Sequence, residues 1–182
     1  MLLMPNDTWQ WNYDSNRDAL LISLGNELNF MTELKSKNLI PDALSSQIFN
    51  TQHAIYYTQS LEMLSQQVKA SEPLLVQMAL NATAAKFMWQ HQAPKSHLFK
   101  MSHECVYSKP GKVFYLQTEQ AKGLCFVIDA SATSSVVLLL SELAVSDSDL
   151  LMAFSTIKVL NSRLLPLVSS FSGHMMDYAK RA

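Results

Sequence analysis

Residues 8–24 read TWQWNYDSNRDALLISL, and this stretch decides how the fold begins. Trp9, Trp11 and Tyr13 alternate with Gln10 and Asn12, which places the three aromatics on one face of an extended strand. Asp14-Ser15-Asn16-Arg17 carries the residues that close a tight turn through side-chain hydrogen bonds to their own backbone. Leu20, Ile22 and Leu24 then repeat at period two and supply the hairpin partner. Gly25-Asn26 punctuates the chain again before a third short strand around residues 28–33, so the chain opens with a small antiparallel meander.

Past Pro41-Asp42 the periodicity becomes helical. Ala54, Tyr57, Leu61 and Leu64 recur every three or four residues across 51–67. A second helix is expected from Ser71-Glu72-Pro73, with Ser71 as N-cap candidate and proline in the first turn. Leu75, Met78, Ala82, Ala85 and Trp89 form its buried stripe, and Pro94 closes the region. Short β-branched or aromatic runs follow at 113–117, 124–130 and 136–140, separated in part by the turns Lys109-Pro110-Gly111-Lys112 and Ala121-Lys122-Gly123. Ser146-Asp147-Ser148-Asp149 offers cap candidates for a helix of about three turns, with Ala153, Ile157, Leu160 and Leu164 as its apolar face and Pro166 as its end. The expected class is α+β. An N-terminal α/β domain (1–92, meander plus helices) packs on a mostly β, twisted barrel-like C-terminal domain (93–176) with one helix, and 177–182 is read as a disordered tail.

Of the 182 residues, 48% are hydrophobic and 16% charged, a balance that supports a real core. The net charge of −1 lacks the electrostatic footprint of a nucleic-acid binder. Charge is uneven, however: residues 1–90 carry five Lys and Arg against eight Asp and Glu, whereas 91–182 carry nine against seven. Lys95, Lys100, Lys109, Lys112 and Lys122 face only Glu104 and Glu119 in the stretch 95–122, which reads either as a solvated basic edge or as a patch for an acidic peptide. Cys105 and Cys125 make no disulfide framework in a chain of this length and are expected to be buried, reduced thiols. The start Met1-Leu2-Leu3-Met4-Pro5 has neither the basic nor the apolar region of a signal peptide, and no apolar run reaches the length of a membrane helix. A cytoplasmic protein without membrane insertion is expected.

The search for chemistry is mostly exclusion. The four glycines are too dispersed to build a phosphate-binding loop, which needs several close together for the backbone to approach an anion. His91, His97 and His103 recur every six residues, a spacing that suits neither helical ligation nor a zinc finger. Asp147 and Asp149 resemble the first ligands of a calcium loop, but Lys158 stands where its last carboxylate belongs, so a helix cap is the simpler reading. Ser169, Ser170 and Ser172 near His174 lack a nucleophile elbow. Trp9 and Trp11 could form a stacking platform for a single strand only if exposed beside a basic face, and a core role is the simpler reading. No cofactor, no metal and no catalytic residue is expected.

Several short motifs, in order, resemble those of the ZapC family of Z-ring-associated cell-division proteins. Pro5-Asn6-Asp7-Thr8-Trp9-Gln10-Trp11-Asn12-Tyr13-Asp14 is similar to that family's opening P-D-D-x-W-x-W-x-Y-D. Pro41-Asp42-Ala43, Pro94-Lys95-Ser96 and Ile157-Lys158-Val159-Leu160-Asn161-Ser162-Arg163-Leu164 with Pro166 follow in register. His97 and Gln90 depart from the pattern, which carries an aromatic and a basic residue at those places. The resemblance implies a monomer of two domains, an α/β and a twisted barrel-like one. It also implies a bacterial, non-enzymatic septation factor that binds the polymerising GTPase FtsZ at mid-cell, promotes lateral association of its filaments and stabilises the Z-ring. For a docked FtsZ segment such as its C-terminal tail, the expected contacts are Ile22 for the apolar surface and Lys95 and Arg163 for the basic groups. The rival expectation is a small-molecule-binding barrel or an unfamiliar hydrolase in the C-terminal half.

Overall fold

Strands β1 (Gln10–Asp14) and β2 (Ala19–Ser23) pair antiparallel with Trp11 opposite Ile22 and Tyr13 opposite Leu20. The Asp14 carboxylate accepts from the backbone N–H groups of Asn16 and Arg17 at 2.9 and 3.2 Å, closing the turn as its composition foretold. Strand β3 (Asn29–Met31) joins beyond β2, and β4 (Gln47–Ile48) flanks β1, giving the order β3-β2-β1-β4. The computed structural model describes residues 3–104 and 106–167. The expected tail at 177–182, the end of the expected second domain, Cys105 and the serines near His174 lie outside those residues.

Helix α1 (Thr51–Gln67) starts at a reciprocal cap in which the Asn50 side chain accepts from the His53 N–H and His53 Nδ1 accepts from the Asn50 N–H, both at 3.1 Å. Its buried side chains include Tyr57, Leu61 and Leu64, the positions its periodicity selects. They cover the aromatic face of the meander, where the Trp9 ring meets Phe49 and Tyr57 edge-on. Helix α2 (Glu72–Met88) is buried at Met78–Ala85 without interruption, so it has no solvent face over two turns. The reason is its place between layers: one side packs on α1 and the meander, the other on the outer face of the C-terminal sheet. Ala79, Ala82, Ala84 and Ala85 keep both approaches close.

That sheet has the order β10-β7-β6-β5, formed by β5 (Val113–Gln117), β6 (Lys122–Ala130), β7 (Ser134–Leu139) and β10 (Thr156–Leu160). Val113, Phe126, Ile128, Val136 and Leu138 point to α2, whereas Phe114, Leu116, Cys125, Val127, Val137 and Leu139 point to a second, inner core. Cover on both faces buries every residue of β7 and explains its unbroken apolar run. The chain after β10 returns to the free edge of β5, where Tyr115 and Leu165 exchange backbone hydrogen bonds at 2.8 and 2.9 Å. The sheet thereby curls towards a barrel, with its interior filled by side chains.

The α+β class holds, with helices in the N-terminal half and mostly strands in the C-terminal half. The helix expected over the region after Asp149 does not form. Residues 143–151 make a small hairpin, β8 (Leu143–Ser146) with β9 (Asp149–Leu151), and β10 follows. Ile157 and Val159 alternate with Thr156 and Lys158 and pair with Val137 and Ser135 of β7. An apolar spacing of three or four overlaps with this two-residue alternation, and pairing to a buried strand prevails. Phe154, at φ +64°, turns the chain just before it. Asp147 and Asp149 accordingly sit at a hairpin tip and cap no helix, and Asp147 Oδ1 accepts from Gln120 Nε2 at 2.7 Å.

Candidate functional site between the two halves

The segment that connects the halves is anchored by backbone at both of its ends. Gln90 donates to the Asn38 carbonyl at 2.7 Å, Ile40 donates to the Met88 carbonyl at 2.9 Å, and Leu39 bridges Trp89. Farther on, Lys95 donates its N–H to the Lys158 carbonyl at 2.8 Å, and Ser96 Oγ accepts from the Leu160 N–H at 2.8 Å. The connector 89–96 thus runs from the meander side onto the edge of β10.

Beside it lies a cavity of about 360 Å³, lined by Glu33, Leu34, Lys37, Asn38, Gln92, Lys95, Leu151, Ser155, Thr156 and Ile157. Each wall is positioned by identifiable contacts. The Glu33 N–H is held at 3.2 Å by the carbonyl oxygen of the Asn81 side chain, a buried residue of α2. Lys37 lies in a 3₁₀ turn (Ser36–Asn38) tethered by Asp18, whose carboxylate accepts from the Ser36 N–H at 2.9 Å and the Tyr13 hydroxyl at 2.7 Å. These hydrogen bonds, that of the Ser36 backbone foremost, hold the Asp18 carboxyl down at about 2. Gln92 donates to Asn38 Oδ1 at 2.7 Å across the cleft. On the opposite wall Thr156 is 9% exposed, and its buried hydroxyl has no partner among the described residues.

The expected contact residues are thus distributed unequally. Lys95 is exposed and lines the cavity. Arg163 lies in the 3₁₀ turn after β10, outside that lining, and its Nε is buried without a partner among the described residues. Ile22 is fully buried beneath α1 and α2, so the apolar surface expected from it is not made by its side chain. Sequence reasoning misses Lys37, because nothing in its flanking sequence ties residue 37 to residue 95. Trp9 and Trp11 are likewise fully buried and present no stacking platform.

The histidines divide. The His91 ring packs edge-on against Trp89 and borders a 140 Å³ depression with Asp129, Ser131, Ser134 and Lys158. Asp129 faces Lys86 at 3.8 Å, and Ser131 Oγ donates to the Ser134 carbonyl at 3.0 Å. Neither serine is bonded to His91 among the described residues, so no nucleophile and base pair is assembled there. Among the described residues no three His, Cys, Asp or Glu side chains come together to hold a metal, and no helix is long and apolar enough to cross a membrane.

Residues 2–90 match the family model described as Cell-division protein ZapC, N-terminal, and residues 91–170 match Cell-division protein ZapC, C-terminal. The chain belongs to the ZapC family. It is 47% identical over 168 residues to the Cell division protein ZapC of Shewanella woodyi, covering 92% of this chain and 93% of that one. A ZapC of Shewanella frigidimarina is also 47% identical, over 92% and 95% of the two chains. The ZapC of Aeromonas hydrophila is 34% identical over 91% and 93%. The resemblance drawn from the short motifs therefore holds along nearly the whole length, and a role in cell division follows from membership of ZapC.

Proposed function

We propose that this ZapC-family chain is a non-enzymatic, monomeric adaptor that binds FtsZ in the cytoplasm at mid-cell, promotes lateral association of its filaments and so stabilises the Z-ring. The observation that carries the reading is the cleft between the halves, where exposed Lys37 and Lys95 share a lining with the partly exposed Leu151, in a division-protein family. A peptide mixing apolar anchors with carboxylates is the ligand such a surface suits, since apolar burial supplies affinity and fixed cations supply register. Glu33 on the same wall disfavours a uniformly acidic ligand and favours one with mixed charge. In this reading Lys95 and Arg163 contact the partner, while Ile22 acts from below by holding the meander in place.

Co-sedimentation with FtsZ polymers from the same bacterium and GTP tests it. The chain is expected in the pellet, and the folded Lys95→Glu/Arg163→Glu variant in the supernatant. A wild-type chain that stays in the supernatant refutes the function. Unchanged pelleting of the folded variant refutes the site.

A further inference from the structure

Of the five lysines that crowd residues 95–122, two are already engaged: Lys100 pairs with Glu119 at 3.0 Å, and Lys122 lies 4.2 Å from the centre of the Tyr115 ring. Lys95 belongs to the cleft described above. Lys109 and Lys112 remain, both exposed and neither ion-paired among the described residues.

They flank a groove on another part of the surface. Tyr56, Gln59, Ser60, Met63, Gln66 and Gln67 follow one another at helical spacing along one face of α1, and the turn 109–112 forms the opposite wall. Two adjoining hollows share Met63, Pro110 and Gly111: an apolar pit of about 80 Å³ reaching Phe126, and a wider basin of about 350 Å³ carrying both lysines and the Gln66 amide. Among the described residues no Asp or Glu lines either hollow, and neither shares a residue with the cleft. From Tyr56 to Gln67 the helix rises about 16 Å, the length of about five residues of extended peptide.

The turn is rigidly held, unlike an ordinary exposed lysine loop. Gln67 donates through Nε2 to the Gly111 carbonyl at 2.8 Å and accepts through Oε1 from the Val113 N–H at 3.1 Å. Gly111 donates to the Val127 carbonyl at 2.9 Å, and the Val127 N–H donates to the Lys112 carbonyl at 2.8 Å. Gly111 sits at φ +85°, where a Cβ would collide with Met63 Sδ, so the turn approaches α1 as closely as glycine permits. Met63, 39% exposed, offers an adaptable apolar floor.

We propose that this groove is a second docking site, for a short acidic peptide segment whose apolar side chain enters the pit while its carboxylates meet Lys109 and Lys112. Resting on the FtsZ reading, it supplies what a single cleft cannot: a bridge between filaments needs two simultaneous engagements on one molecule.

Titration of the ¹⁵N-labelled chain with a synthetic hexapeptide of alternating aspartate and leucine tests the groove without FtsZ. Saturable shifts are expected at the backbone amides of residue 109 and of 111–113, and at the side-chain amides of Gln66 and Gln67. Lys109→Glu/Lys112→Glu, with its spectrum still dispersed, is expected to weaken them about tenfold. Shifts confined to the surroundings of Lys95, or an unchanged affinity in that variant, overturn the proposal. So do shifts at 109–113 that depend on protein concentration without peptide, which would assign the groove to a second copy of the chain. With FtsZ filaments the same variant is expected to pellet but no longer to raise light scattering through bundling. Wild-type chain that never pellets would defeat the FtsZ reading alone, because the peptide titration reads the groove independently.

Discussion

The Gln67 side chain is the most testable joint between the halves. Its amide fits a donor and an acceptor at once, bonding the Gly111 carbonyl and the Val113 N–H from the last residue of α1. Gln67→Ala removes both bonds, together with the Nε2 donation to the Met63 carbonyl at 2.9 Å within α1; at about 0.5–1.5 kcal/mol each, the two bonds to the turn amount to about 1–3 kcal/mol. For a chain of this length, at about 2–4 °C per kcal/mol, that corresponds to a fall in Tm of about 2–12 °C. Gln67→Glu sharpens the argument. Near neutrality a carboxylate keeps the acceptor for Val113 but sets a second oxygen against the Gly111 carbonyl, so destabilisation is expected. Protonated, the introduced carboxyl again has one donor and one acceptor. The folded state therefore raises the pKa of that carboxyl above its unfolded value of about 4.3. Its stabilising contribution is then present in full below that value and is lost as pH rises through the folded one. Urea denaturation of the wild type and both variants at pH 4 and pH 7, with hydrogen exchange at Val113, measures this. The reasoning fails if Gln67→Ala costs less than about 0.5 kcal/mol, the range of a neutral surface change. It fails equally if Val113 exchange is unaltered, or if Gln67→Glu is equally destabilised, relative to wild type, at both pH values.

Three further outcomes are expected. His53 Nδ1 accepts from Trp11 Nε1 at 3.1 Å as well as from the Asn50 backbone, and burial lowers its pKa below the ordinary histidine value. Its contribution to stability is therefore intact above about pH 6.5 and falls as pH drops through the folded pKa, with a slope of up to about 1.4 kcal/mol per pH unit that His53→Gln should remove in denaturation experiments. Burial pushes the Cys125 thiol up to about 12, so in a Cys105→Ser background it should resist a thiol reagent at pH 8 until urea unfolds the chain. Gly111→Ala should cost about 1–2 kcal/mol from its positive φ alone, and adding Met63→Ala should recover only the collision component of the loss in a thermodynamic cycle.

Helix α1 is readable because its buried positions recur at 3.6-residue spacing, and the meander because its aromatics alternate between two turn signals. Residues 149–164 mislead, since the spacing of Ala153, Ile157, Leu160 and Leu164 also fits a helix, and only the partner strand β7 distinguishes the two. The candidate site is legible through Lys95 alone. Its companion Lys37 lies far away in sequence, and the partnerless Arg163 Nε is a property of packing among the described residues.

Local periodicity and turn chemistry thus determined most of the elements and the α+β class, since each depends on residues a few positions apart. The short motifs, by their order, determined the family. Tertiary structure alone decided that α2 lies buried between two layers, that Ile22 faces inward, and that Gln67 grips the turn at Gly111. It also decided which of the clustered lysines meet a carboxylate or a ring and which, among the described residues, do not. Each of those outcomes depends on what the chain brings near from a distance, and neither spacing nor composition encodes such contacts locally.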